Sequence, residues 1–163
     1  MTQEERYNHR ERSYSAWHRR NSTRRYIGIE NAQLLAMIDL DASLYVEYDD
    51  GDKEPLALIE TARDIGQTYK SAAVTLNLAR RADLPCFVVL YTLSDKRNPV
   101  DSNWPDISQF RVMRLYPKRE TTWRVLTPQE WADTLLRLRA WKASKLDGEF
   151  NIEQLVSSLS LSR

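Results

Sequence analysis

A chain of 163 residues, 42% of them apolar, can bury one sizeable core and is short for a second full-sized domain. No apolar run approaches the roughly 18 residues of a membrane span, and the charged N-terminal residues are unlike a signal peptide, so a cytoplasmic protein without a membrane partner is expected. The net charge of +1 conceals three blocks: residues 1–25 hold seven arginines against three glutamates, Tyr26 to Thr61 hold nine acids against Lys53 alone, and the remainder is basic again.

Taken in chain order, residues from about Gln3 to Arg20 are rich in helix formers, with Tyr14 three residues before Trp17, which predicts an N-terminal helix. Leu34 to Asp41 leads into Ser43-Leu44-Tyr45-Val46-Glu47-Tyr48, a strand pattern that Asp49-Asp50-Gly51-Asp52 closes with a turn. Pro55 to Thr61 is the partner strand of that hairpin. Asp64 to Arg81 reads as a helix, with Ile65, Tyr69, Ala72, Leu76 and Ala79 at helical spacing. Pro85 to Leu93 lacks alternation, as a central strand covered on both faces does. The single cysteine, Cys86, lies in that run and reads as a buried thiol. Asp101 to Ser108 reads as a polar connection, and Phe110 to Tyr116 and Thr122 to Leu126 as short strands. Thr127-Pro128-Gln129-Glu130 has the form of a capping box with proline at the first helical position, opening a helix through Trp131, Leu135, Leu138 and Trp141. Residues 1–142 therefore read as one α/β domain, and 143–163 as a polar tail with a short helix from Ile152 to Leu159.

The order helix, hairpin, helix, strand, with Met37-Ile38-Asp39-Leu40-Asp41 before the hairpin and Ala57-Leu58-Ile59-Glu60-Thr61-Ala62 ending it, resembles the PD-(D/E)xK, restriction-endonuclease-like nuclease superfamily, small phage and prokaryotic members especially. The likeness spans roughly residues 10–95. It implies an αβββαβ core, a mixed sheet flanked by helices, with a C-terminal helix added, and Mg²⁺- or Mn²⁺-dependent hydrolysis of DNA. Magnesium is held by a few carboxylates and keeps several waters, and it supplies both a nucleophile and charge stabilisation to phosphodiester cleavage. On this resemblance Asp41 is the first choice for the metal aspartate, Asp39 supports it, and Glu60 is the other carboxylate ligand. The same acids also suit a plainer role, capping a turn or ending a strand.

One position departs from the family pattern. A lysine two residues after the glutamate would share its face and assist the attacking water, yet that position is Ala62. Gln67 and Lys70, three apart on the expected helix, are the replacement candidates, with Lys70 as the base-assisting group or else a solvated helix lysine. In the N-terminal block, Arg12, Trp17, His18, Arg19 and Arg20 combine aromatic and basic side chains able to hold phosphate and stack on bases, or else Trp17 packs into a core. Zinc, serine or cysteine triads and nucleotide-cradling loops lack the residues they need: two histidines, one buried cysteine and four glycines. Two functions of different class follow: a metal-dependent nuclease, singly or as a homodimer, and a catalytically inactive module on the same fold that binds nucleic acid or a protein.

Overall fold

The computed structural model describes residues 13, 14, 17, 23–36 and 40–160, and the chain falls into two compact units, Met1–Asp39 and Leu40–Arg163. In the first unit Ser13, Tyr14 and Trp17 are helical, and the Tyr14 and Trp17 rings stack at 6.0 Å. The rest of the expected N-terminal helix lies outside the described residues. A helix that the sequence reading did not include, α1 (Arg24–Leu34), follows, kinked at Gly28.

The second unit is a five-stranded mixed sheet in the order β1-β2-β3-β4-β5, comprising β1 (Ala42–Glu47), β2 (Lys53–Arg63), β3 (Cys86–Arg97), β4 (Pro105–Tyr116) and β5 (Arg124–Leu126). Strands β1 and β2 form the expected antiparallel hairpin. Its turn is closed by the Gly51 amide on the Tyr48 carbonyl at 2.9 Å, and Gly51 takes φ +89°, a conformation that a Cβ would oppose. Strand β3 runs parallel to β2, and β4 and β5 are added antiparallel. A parallel neighbour requires a crossover, and α2 (Ala73–Ala82) supplies it.

Side-chain alternation sorts the sheet into two faces. Leu58, Cys86, Val88, Leu90 and Leu115 pack with Ala72, just before α2, and with Leu76 and Ala79 of α2. Ala57, Ile59, Phe87, Val89 and Val112 pack on the other face around Trp131, with Leu135 and Leu138 partly buried beside them. Those three residues belong to α3 (Pro128–Ser160), which starts where the capping box places it: the Glu130 carboxylate accepts from the Thr127 amide at 2.7 Å, and the Thr127 hydroxyl accepts from the Glu130 amide at 3.2 Å.

Three expectations are revised. The second helix begins at Ala73, not Asp64, and residues 64–72 form a loop. The polar connection is shorter than expected, because β4 begins at Pro105, a first-residue position where proline costs no ladder bond. The final helix runs unbroken through Asp147 and Gly148, since one interior glycine costs only about 1 kcal/mol against the good helix formers around it. Among the described residues no helix is long and apolar enough to cross a membrane.

Candidate functional site

Glu60 sits near the end of β2 on the face covered by α2, opposite Val88 of β3 in the parallel register. Its neighbours Leu58 and Ala62 point the same way, so an acid at this position enters the core unless something holds it. It is only 2% exposed. Two groups hold it: the Lys70 ammonium donates to Oε2 at 3.0 Å, and the hydroxyl of Thr75, in the first turn of α2 and 1% exposed, donates to Oε1. An unpaired buried carboxylate would be prohibitively costly, so this ion pair and hydrogen bond are conditions of folding as much as features of a site.

Lys70 reaches Glu60 from a loop and not from a helix, and seven hydrogen bonds shape that loop. Gly66 takes φ +82°, the Asp64 carboxylate accepts from the Gly66 amide at 2.9 Å, and the Gln67 side chain bridges the Ile65 amide and the Arg63 carbonyl at 2.8 and 2.9 Å. Such local side-chain bonds compete directly with helix formation. Arg111 of β4 then clasps Asp64 through two 2.6 Å bonds and also donates to the Gln67 carbonyl at 2.9 Å, while the Trp123 indole donates to the Thr68 carbonyl at 3.2 Å. The Gln67 and Thr68 carbonyls, which a helix would spend on later amides, are thus taken by distant residues. Arg111 lies over the Trp123 ring at 5.2 Å and holds the Asp64 carboxyl below its ordinary range, with the Gly66 amide as the second cause. Gln67 therefore acts as a brace of the loop.

Asp41 goes elsewhere. It directly precedes β1, where the Ala42–Ile59 pairing would bring it level with Glu60. Its carboxylate, however, accepts from the Thr61 amide at 2.7 Å and the Thr61 hydroxyl at 3.2 Å. Thr61 alternates with Glu60 along the strand and so faces the opposite side of the sheet. The structure brings Glu60 and Lys70 together and ties Asp41 to Thr61. Asp39, Arg12, His18, Arg19 and Arg20 lie outside the described residues, and Trp17 belongs to the first unit.

As placed, the described carboxylates do not fit a magnesium ion: both Glu60 oxygens and one Asp41 oxygen are already hydrogen-bonded, and no three His, Cys, Asp or Glu side chains converge among the described residues. Cys86 is buried beside Glu60, and desolvation first, then the neighbouring carboxylate, pushes its thiol up to about 11, which removes it as a nucleophile.

Beside the ion pair opens a cleft of about 290 Å³, which Lys70 lines together with Tyr69, Trp123, Arg119 and Glu120 over a floor of Val88, Met113 and Leu115. The Glu120 carboxylate accepts from the Arg114 amide at 2.8 Å and pairs with the guanidinium groups of Arg114 at 3.6 Å and Arg124 at 3.4 Å. Thr75, Arg111 and the cleft residues Arg119, Glu120 and Trp123 were not singled out from sequence. Two signals were present: a threonine in the apolar stripe of Ala72, Leu76 and Ala79, and an arginine on the strand face of Met113 and Leu115.

No family model, curated protein or solved structure matches this chain significantly.

Proposed function

We propose that this chain is a nuclease-like α/β module of the PD-(D/E)xK kind that binds nucleic acid without cleaving it. The observation that carries the reading is the state of Glu60: the glutamate that would ligate metal is buried with both oxygens occupied, one by an internal cation. A metal ion competing for Glu60 would have to displace the Lys70 ammonium from one oxygen and the Thr75 hydroxyl from the other. With Asp41 turned to Thr61 and alanine at position 62, the second carboxylate ligand and the usual lysine are both missing from the described arrangement.

Support for the class comes from the β1–β2 hairpin that sets Asp41 level with Glu60, the α2 crossover and the parallel β3. The described residues hold two strands before that crossover where the superfamily core has three. Support for nucleic acid comes from the arginine-rich first 25 residues and the basic, aromatic cleft, since phosphate contacts supply most non-specific affinity.

A second reading is favoured by one distance. The Lys70 ammonium, 3.0 Å from the Glu60 carboxylate, occupies the neighbourhood the missing lysine would fill, which fits a Mg²⁺- or Mn²⁺-dependent nuclease with a relocated lysine. Plasmid and single-stranded DNA incubated with either metal separate the two. The binding reading expects retained DNA and no cleavage; cleavage by the wild type that disappears in both Glu60→Ala and Lys70→Ala would establish the nuclease instead.

A further inference from the structure

We infer that the cleft beside Lys70 receives a single unpaired nucleotide, so that the nucleic acid bound is single-stranded at this point. The inference rests on the nucleic-acid reading above and specifies its ligand. Size comes first. At about 290 Å³ the cleft is just below the roughly 300–1,000 Å³ typical of ligand pockets, which admits one base and not a base pair.

Surface chemistry narrows the ligand further. The floor of Val88, Met113 and Leu115 is apolar, and aromatic rings of Tyr69 and Trp123 line the same space. Trp123 is fixed before any ligand arrives, by its bond to the Thr68 carbonyl and by Arg111 over its ring. Tyr69, 64% exposed, offers a free stacking surface. A flat apolar ligand suits these walls, because every base has a face that stacks on an aromatic ring.

Charge selects an anion. Lys70, Arg119, Arg114 and Arg124 stand at or just behind the lining against the carboxylates of Glu60 and Glu120, an excess of positive charge. Lys70 is committed to Glu60, and Arg114 and Arg124 to Glu120. Among the described residues Arg119 makes no ion pair or hydrogen bond, which leaves its guanidinium for a phosphate. In a nucleic acid, the flat-faced group joined to a phosphate is a nucleotide, and inside a duplex its base would be stacked and paired out of reach.

The test is fluorescence anisotropy of the full chain with a labelled single strand of about ten nucleotides, the matching duplex, and a free mononucleotide as competitor. A clear preference for the single strand is expected, and Tyr69→Ala and Arg119→Ala should each weaken that binding by roughly fivefold or more, a larger loss than either causes in duplex binding. Both residues are exposed, and unchanged melting temperatures confirm that the variants fold. Equal affinity for strand and duplex, indifferent to both variants, overturns the inference but leaves the nucleic-acid reading in place. Absence of binding to any of the three probes overturns both. Displacement of the strand by free mononucleotide, lost in both variants, supports the cleft and assigns it to nucleotides whether free or in a chain; no displacement, with strand binding still weakened by both variants, supports the cleft and assigns it to nucleotides within a strand.

Discussion

The two faces of the sheet are built on different physics. Under α3, Ala57, Ile59, Phe87, Val89 and Val112 meet Trp131, whose ring contacts Phe87 edge-on at 6.4 Å and Phe110 at 6.1 Å, and the contact is apolar throughout. Under α2, an equally buried surface includes Glu60 and Thr75, and its neighbouring loop hangs on charged and polar clasps. Apolar burial tolerates approximate complementarity, whereas a buried charge requires named partners at hydrogen-bond distance. One face can therefore be varied in side-chain shape, and the other can be changed only in matched sets.

The largest effect that would test this contrast is on the apolar face. Trp131→Ala should cost about 4 kcal/mol, independent of pH, as read by urea denaturation, because it empties the centre of that contact. Next comes Lys70→Met, which strands Glu60 in the core and should cost about 3 kcal/mol; adding Glu60→Leu should recover most of the loss. If the double variant is no more stable than Lys70→Met alone, the ion pair is not what makes the α2 face demanding. The smallest effect is Asp64→Asn, which weakens the Arg111 clasp and should cost about 2 kcal/mol near neutral pH. Its pH dependence has a definite sign. The Arg111 bonds lower the folded-state pKa of Asp64, so the stabilisation is present above the unfolded carboxylate pKa of about 3.9 and is lost as pH falls through the lower folded value. Wild type and variant should therefore differ by a constant amount above about pH 5 and converge in stronger acid.

Much of the frame was legible in the sequence because it rests on local rules. The β1–β2 hairpin followed from Asp49-Asp50-Gly51-Asp52 between two strand patterns, and the start of α3 from a threonine and glutamate three apart with proline between them. The buried β3 followed from an unalternating apolar run. Glu60 and Lys70 stood out as an acid closing an apolar strand and a lysine downstream of it, and the structure puts them 3.0 Å apart. Asp41 was legible as a neighbour of Glu60 in register but not as a ligand of Thr61, because backbone pairing does not say which way a carboxylate turns.

By itself, then, the sequence determined the hairpin, the two covering helices, the central strand and an acid closing an apolar strand, since each depends on residues within a few positions of one another. Only the tertiary structure decided that residues 64–72 leave the helix, because Arg111 and Trp123, more than 40 positions away, capture the carbonyls a helix would have used. The same long-range bonds deliver Lys70 to Glu60 and open the cleft beside them. Helical periodicity in that segment was real, but a repeating apolar pattern records which side faces a core, and it carries no information about which distant donor will claim the backbone.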